Sequence, residues 1–258
     1  MKPRIAVFKF ASCDGCQLQF LNAEDELLKL AGLVDFVYFP EARSRALEGP
    51  YDIAFVEGSI TTPGDARRIL EVREQSHYLV TIGACATAGG IQALRNWDDV
   101  EQYVRDVYPS PEFISTLSTS TPISEHVRVD FEVWGCPVDK QQLLNVVRSL
   151  LSNAKPVLPG HSVCMECKRR GNVCVVVARG EPCLGPVTRT GCGALCPAFN
   201  RGCYGCFGPA DDQNIGSFTR LLAVQGVTGA DAMRRLRGIN GYVKPWRETA
   251  DAIETNKK

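Results

Sequence analysis

The sequence has no long hydrophobic run and no excess of charge of either sign. Its 258 residues carry 29 Lys and Arg against 29 Asp and Glu, so nothing indicates a basic surface for nucleic acid. No stretch approaches the roughly 20 apolar residues of a membrane-spanning helix. The opening MKPRIAVFKF lacks the apolar core and the twin arginines of an export signal. These absences predict a cytoplasmic protein that neither binds nucleic acid nor spans a membrane.

Histidine is also scarce, with 3 residues, whereas cysteine occurs 12 times. Disulfides are rare in a reducing compartment, and disulfide-rich secreted domains are usually much shorter than this chain. The cysteines are therefore either buried structural thiols or ligands. Their regular spacing, with pairs such as C-x-x-C, favours ligands.

The first half of the chain alternates strand and helix patterns. Apolar, β-branched runs predict strands at residues 4–8, 34–39, 52–57, 78–82 and 127–134. Helical patterns occupy residues 17–31, 62–76 and 139–151, the second beginning with the N-cap signal Thr62-Pro63. This alternation predicts an α/β fold with a doubly wound parallel sheet, assigned to residues 1–155.

The composition changes after residue 155. Gly, Pro and Cys crowd together, and before residue 209 only VCVVVA, residues 173–178, resembles a strand. Short helical patterns follow at 214–226 and 228–237, and the charged end ETADAIETNKK is predicted to be frayed. We expect residues 156–258 to form a second, irregular domain with a short helical tail, in which metal centres replace hydrophobic packing.

Four cysteines of the first half each follow a predicted strand. They are Cys13, Cys16, Cys85 and Cys136. The carboxyl ends of strands in an open parallel sheet meet at one crevice, so these thiols are expected to converge. They could hold a tetrahedral metal or a cubane iron-sulfur cluster. Glu57 ends the strand between them and is either a functional carboxylate of the crevice or a helix-capping or surface group.

The other eight cysteines fall into two runs of four. They are Cys164, Cys167, Cys174 and Cys183, then Cys192, Cys196, Cys203 and Cys206. Zinc is the competing metal, but zinc sites usually take their thiolates from two short local knuckles, unlike the widely separated Cys85 and Cys136. Three clusters of four ligands account for all 12 cysteines. Several redox centres in one chain indicate electron transfer over a long distance.

Several segments resemble the small subunit of nickel-iron hydrogenases. In the first half these are SCDGCQLQFL, VEGSI, GACATAGGIQ and GCPVDK; in the second half CMECKRRGNVC, EPCLGPVTRTGCGALCP and GCYGCFG are similar to the cytosolic branch, the sulfhydrogenase and the deazaflavin- or viologen-reducing enzymes. The resemblance spans about residues 4–210. It implies a flavodoxin-like first domain beside a nickel-iron site that a separate large subunit holds.

The resemblance also implies a grouping of the ligands into three [4Fe-4S] clusters. The proximal cluster would be held by Cys13, Cys16, Cys85 and Cys136. The distal cluster would be held by Cys164, Cys167, Cys174 and Cys183, and the medial one by Cys192, Cys196, Cys203 and Cys206.

One histidine has to be weighed against this grouping. The exported respiratory branch of the family uses an H-x-x-C pair at the distal cluster, and this chain contains HSVC at His161 to Cys164. Because Cys164 and Cys167 supply a pair of their own, we expect His161 to lie outside the ligand set. The cluster-bearing subunit of respiratory complex I is also similar, but it carries one cluster and adjacent paired cysteines, which this chain lacks.

The sequence therefore predicts the electron-transfer small subunit of a cytosolic nickel-iron hydrogenase. It holds no recognisable nickel ligands and no catalytic residue of its own. The expected partners are the large subunit and an electron-accepting subunit that contains flavin or iron-sulfur centres. Two alternatives stay open at this point: a free-standing multicluster ferredoxin and a zinc-stabilised scaffold without a redox role. The identity of the electron acceptor and the direction of turnover are not encoded in these motifs.

Overall fold

The computed structural model describes residues 2–255. The chain forms two compact units, one ending at Val157 and the other beginning at Leu158. Within the described residues no helix combines the length and the apolar character needed to cross a membrane.

A sheet of five parallel strands organises the first unit. Its strands are β1 Arg4–Lys9, β2 Asp35–Tyr38, β3 Tyr51–Glu57, β4 Ser76–Ile82 and β5 Phe131–Val133. The strand order is β2-β1-β3-β4-β5, which is the flavodoxin-like order. The middle strands β3 and β4 are buried almost throughout, as expected of strands covered on both faces. The predicted fold class is confirmed.

Six α-helices accompany this sheet in the described residues. They are α1 Gly15–Leu21, α2 Asp25–Leu33, α3 Pro63–Glu74, α4 Gly83–Ala88, α5 Val100–Val107 and α6 Lys140–Leu151. The start of α3 is a capping box: Thr62 Oγ1 accepts from the Asp65 N–H at 3.0 Å, and Asp65 Oδ2 accepts from the Thr62 N–H at 3.1 Å. Asp139 caps α6 through the N–H of Gln142.

Two local predictions for this unit differ from the structure. The single helix predicted over residues 17–31 is broken into α1 and α2 by Glu24, whose φ of 49° cannot continue a right-handed helix. The predicted strand at residues 127–134 shortens to three residues, because only residues 131–133 pair with β4. Neither change moves the carboxyl ends of the strands.

The second unit contains short helices and, in its described residues, none of the paired strands of the sheet. Its α-helices are α7 Val163–Arg169, α8 Val175–Arg179, α9 Leu195–Ala198, α10 Ile215–Val224, α11 Gly229–Leu236 and α12 Lys244–Thr255. Helices α10 and α11 match the predicted patterns, and Asn214 and Thr228 cap them. The strand predicted at residues 173–178 is wrong, since residues 175–179 are helical.

The end of the chain is ordered as far as it is described. The prediction of a frayed tail is wrong for residues 248–255, because they belong to α12, which buries Trp246 and Ala250. The last residues of that prediction, 256–258, lie outside the described part of the chain. Trp246 is 1% exposed and belongs to the main hydrophobic cluster of the second unit. Helix α12 therefore forms part of that unit's core.

Candidate functional site

The four cysteines of the first unit lie at the carboxyl edge of the sheet. Cys13 follows β1, Cys16 lies in α1, Cys85 lies in α4 directly after β4, and Cys136 follows β5. Burial is the main cause that raises the pKa of Cys16, Cys85 and Cys136, that of Cys85 to about 11. Negative charge on neighbouring cysteines of the same set raises each pKa further. The structure thus brings all four within electrostatic range, and ligation would release their protons.

Two glycines leave room for the sulfur atoms of this crevice. A Cβ added at Gly83 would collide with Cys16 Sγ, and one at Gly90 would lie 2.7 Å from Cys85 Sγ. Both glycines also have positive φ, +85° and +69°, which side chains rarely tolerate. The backbone therefore approaches two of the thiols more closely than any other residue type would permit.

Glu57 anchors the helix that carries Cys16. Its side chain is 1% exposed. Oε1 accepts from the Cys16 N–H at 3.1 Å, and Oε2 accepts from the Gln17 N–H at 3.0 Å. Burial raises the pKa of this carboxyl, and the two backbone hydrogen bonds oppose that shift. Of the two roles open from the sequence, the structure shows the helix-capping one, at a buried rather than a surface position.

In the second unit, one small cavity collects four cysteines. Cys164, Cys167, Cys174 and Cys183 line a cavity of about 120 Å³, together with Val175, Val176, Gly185, Pro186 and Pro197. Helix α7 carries Cys164 and Cys167 three positions apart, so they share one face. A Cβ at Gly185 would lie 3.3 Å from Cys183 Sγ and 3.8 Å from Cys164 Sγ. Burial raises the pKa of Cys167 to about 11.

The remaining four cysteines are placed as two pairs that both lie near Cys183. Burial raises the pKa of Cys196, and charge on Cys192 and Cys183 raises it further. Burial likewise raises the pKa of Cys203, with added contributions from Cys183 and Cys206. Among the described residues no three Cys, His, Asp or Glu side chains form a preformed site for a single metal ion.

Backbone N–H groups point at the sulfur atoms of the second unit. Cys183 Sγ accepts from the N–H of Cys203 at 3.1 Å and from that of Gly185 at 3.4 Å. Cys203 Sγ accepts from the Gly205 N–H at 3.4 Å. Hydrogen bonds of this kind stabilise a thiolate over a thiol. These two positions are therefore prepared for ligands that must lose a proton.

The C-terminal segment holds the loop between Cys203 and Cys206. Asn240 Nδ2 donates to the Gly205 carbonyl at 2.8 Å. The Trp246 ring packs so closely on Gly205 that an added Cβ would lie 2.9 Å from it. Trp246 Nε1 donates to Gln213 Oε1 at 2.7 Å. The position of this cysteine loop therefore depends on residues well outside the cysteine motifs.

His161 lies outside the cysteine-lined cavity. Its backbone carbonyl accepts from the Thr190 N–H at 2.9 Å, and its buried Nε2 has no hydrogen-bond partner among the described residues. The residues lining the cavity include all four cysteines expected there but not His161. The expectation that His161 is not a ligand stays a prediction.

The donor set suits iron-sulfur chemistry. Around both sites the converging side chains are thiols, the ligand type of iron-sulfur clusters and of zinc. The structure offers them room, through the glycines of the first unit and the cavity of the second. The residues present therefore fit clusters bound by cysteine.

Comparisons with known proteins identify the family of this chain. Residues 13–150 match the family described as NADH ubiquinone oxidoreductase, 20 Kd subunit. Sulfhydrogenase 2 subunit delta of Pyrococcus furiosus is 34% identical over 85% of this chain and 92% of its own length. A subunit of the F420-non-reducing hydrogenase vhu of Methanocaldococcus jannaschii is 31% identical over 94% of this chain and 95% of its own.

A solved structure of an NAD+-reducing [NiFe]-hydrogenase in the H2-reduced state also resembles the chain. The TM-score is 0.58 at 31% identity, over 62% of this chain and 96% of the other. The family match covers more than half of the sequence, and the relatives match most of its length. The chain therefore belongs to the NADH ubiquinone oxidoreductase 20 Kd subunit family and, within it, to the small subunits of nickel-iron hydrogenases, which makes it a subunit of an oxidoreductase.

Proposed function

We propose that this chain relays electrons through three [4Fe-4S] clusters between a nickel-iron site on a partner large subunit and a redox partner subunit, in the cytoplasm. The observation that carries the proposal is the cavity of about 120 Å³ lined by Cys164, Cys167, Cys174 and Cys183. A structural zinc scaffold would have no use for further thiol sets, whereas an electron relay needs them.

The ligands of each cluster follow the predicted grouping. Residues 1–155 would hold the proximal cluster with Cys13, Cys16, Cys85 and Cys136, and residues 156–258 would hold the other two. The distal cluster would use Cys164, Cys167, Cys174 and Cys183; the medial one Cys192, Cys196, Cys203 and Cys206. When bound, each cluster would take up and release one electron. The chain's own residues bury the sulfurs, donate hydrogen bonds to them and exclude water.

Apolar side chains beside the first crevice support a large-subunit partner. Leu18, Ile91 and Leu94 are 43%, 54% and 45% exposed, and they lie on the segments that carry Cys16 or follow Cys85. The crevice cysteines Cys13 and Cys136 are themselves exposed. Exposed apolar groups of this kind mark contact surfaces. A large subunit that covers them would bring its metal site close to the proximal cluster.

A second group of exposed residues supports docking of the electron acceptor near the distal site. Lys168 lines the cysteine cavity, and Arg169 follows it on the exposed side of α7. Met165, Val173 and Val177 are 42%, 65% and 86% exposed. Positive charge favours an acidic partner and stabilises a reduced cluster. We assign this surface to a subunit that carries flavin or iron-sulfur centres.

The first test is the metal content of the native complex purified without oxygen. Three four-iron clusters require about twelve iron and about twelve acid-labile sulfide atoms per chain. A nickel-containing large subunit should copurify with it in equal amount. Zinc in place of iron, or only about four iron atoms, contradicts the assignment. A stable monomer with full iron content would instead favour a free-standing ferredoxin.

Substitution of single cysteines tests the order of the relay. Cys13→Ala should abolish hydrogen-dependent reduction of every acceptor, because all electrons must pass the proximal site. Cys174→Ala should abolish reduction of the natural partner but preserve reduction of a small dye. His161→Ala is the matched control and should keep its iron content and most of its activity. Loss of the distal spectroscopic signal in that control would transfer the ligand role to His161.

A further inference from the structure

The side-chain amide of Gln92 bridges three segments at the first crevice. Its Nε2 donates to the Ala11 carbonyl at 2.7 Å and to Ser59 Oγ at 2.9 Å. Its Oε1 lies 3.7 Å from Cys85 Sγ. Ala11 belongs to the loop after β1, Ser59 to the loop after β3, and Cys85 to α4. The amide therefore ties the ends of two neighbouring strands to one of the cysteines.

The partners of this amide fix which of its ends faces the sulfur. A backbone carbonyl can only accept hydrogen bonds, so Ala11 requires the N–H end of Gln92. Turning the amide by half a revolution would place Gln92 Oε1 2.7 Å from the Ala11 carbonyl oxygen. Two acceptors cannot form a hydrogen bond at that distance. The single proton of Ser120 Oγ goes to the Gly89 carbonyl at 3.0 Å, so Ser120 Oγ accepts from Ser59 Oγ–H at 2.8 Å, and Ser59 Oγ is left to accept from Gln92 Nε2. The carbonyl oxygen of Gln92 is thus held towards Cys85.

Gly90 makes this approach possible. A Cβ at that position would lie 2.7 Å from Cys85 Sγ and equally 2.7 Å from Gln92 Oε1. The glycine leaves both atoms without a side chain between them. The oxygen and the sulfur therefore face one another directly.

The chemical effect of this oxygen depends on the state of Cys85. In the metal-free chain the thiol can donate its proton to Oε1. A thiolate bound to iron has no proton, so the negative end of the amide dipole then faces a sulfur that gains negative charge on reduction. Hydrogen bonds to cluster sulfurs are among the determinants of reduction potential. A donor to a cluster sulfur raises the reduction potential, because it stabilises the added negative charge. A carbonyl oxygen at the same place lowers the potential.

We propose that Gln92 lowers the reduction potential of the proximal cluster by holding its carbonyl oxygen against Cys85. This inference rests on the proposed function, since it requires a cluster at Cys13, Cys16, Cys85 and Cys136. In the second unit, N–H donors face Cys183 and Cys203 instead. The group that faces Cys85 is an acceptor and the groups that face those two sulfurs are donors, so these contacts have opposite electrostatic signs.

The test is a redox titration of the intact hydrogenase complex, in which electron paramagnetic resonance monitors the reduction of the proximal cluster. Gln92→Met keeps the length of the side chain but removes the carbonyl dipole. We expect the equilibrium constant for reducing the proximal cluster to rise by about threefold to tenfold, since the dipole acts at short range in a partly dry site. A tenfold change corresponds to about 59 mV upward for a one-electron couple.

Ser59→Ala is the matched control. It removes one hydrogen-bond partner of the Gln92 amide but leaves the Ala11 carbonyl, which sets the orientation. The potential of the proximal cluster should therefore shift by much less than in Gln92→Met. A shift of equal size in this control would show that general loosening, not the carbonyl, sets the potential, and the inference would fail.

The sign of the shift in reduction potential decides whether the inference holds. A downward shift in Gln92→Met would mean that the N–H end faces the sulfur, and an unchanged potential would mean that the amide has no effect; either overturns it. If that variant loses its cluster, Gln92→Leu decides, because it removes the same carbonyl oxygen with another apolar side chain and should also raise the potential. A lower or unchanged potential there overturns the inference. Iron and sulfide analysis of the unmodified complex separates this failure from absence of a proximal cluster, which would defeat both proposals.

Discussion

The two units place their cysteines by different physical means. In the first unit, the cysteines come from distant parts of the sequence and meet because parallel strands end at one edge. One hydrophobic cluster of this unit, which includes Phe8, Val56 and Leu79, contains no cysteine, and Cys16 is the one buried thiol of the four. In the second unit, Cys183 and Cys203 belong to the hydrophobic cluster itself, with Cys167 and Cys192 packed against it. Most of the first site is thus added to a fold that has a core of its own, whereas thiols of the second unit are part of the core.

The largest expected effect comes from removing the metal. Stripping the iron with a chelator should leave slow amide exchange in β3 and β4, because their core is intact. Exchange in residues 164–206 should become fast, because metal binding supplies folding free energy there. Hydrogen exchange read by mass spectrometry on the chain before and after chelation measures both regions at once. Equal loss of protection in the two units would abolish the distinction between them.

Truncation of one core residue in each unit sharpens the same contrast. Leu79→Ala in β4 should cost about 2–5 kcal/mol of unfolding free energy, and Trp246→Ala about 3–5 kcal/mol. Only Trp246→Ala should also lower the iron content, because Trp246 packs on Gly205 between two cysteines. Thermal unfolding and iron analysis of both variants provide the comparison. Trp246→Phe, which keeps a ring against Gly205, should retain more iron than Trp246→Ala, and equal losses would contradict the packing role.

The smallest effect is expected at the cap of α1. Glu57→Gln replaces one carboxylate oxygen by an NH2 group that faces a backbone N–H, which leaves a buried donor unpaired and costs about 1–3 kcal/mol. Faster exchange of the Cys16 and Gln17 amides would reveal the loosened helix. Asp65→Asn makes the same chemical change in the capping box of α3 and should leave those two amides unaffected. If exchange at Cys16 and Gln17 stays slow in Glu57→Gln, the carboxylate does not hold this helix.

The sequence predicted the sheet well, because its strands are continuous apolar runs between clear turn and cap signals. The order of elements and the capping by Thr62 are confirmed. The second unit was harder to predict. The β-branched run at residues 173–178 resembled a strand, but Val175 is buried while Val177 is 86% exposed, within the short helix α8. Tertiary contacts overrode local propensity there.

Prediction of the site was limited in a similar way. Strand topology was enough to bring Cys13, Cys16, Cys85 and Cys136 to one crevice, and the structure places them there. The division of all cysteines into three ligand sets stays a prediction. The two N–H groups bound by Glu57 depend on where α1 begins, which the sequence pattern placed at residue 17 and the structure places at Gly15. Gln92 was overlooked; the glycine pair directly before Ile91 was the available signal, since it indicates a close backbone approach.

The position of Cys136 in the sequence also determines when the first crevice can be completed during synthesis of the chain. Its strand, β5, joins the sheet only through β4, and it is the last strand of the sheet to leave the ribosome. At about 5–20 residues per second, the first thiols wait for many seconds of synthesis before the fourth arrives. The thiols at residues 164–206 emerge later but within a short interval. The crevice that begins to be made first is thus completed shortly before the last thiols emerge, and any cluster bound at either place would meet a nearly finished chain.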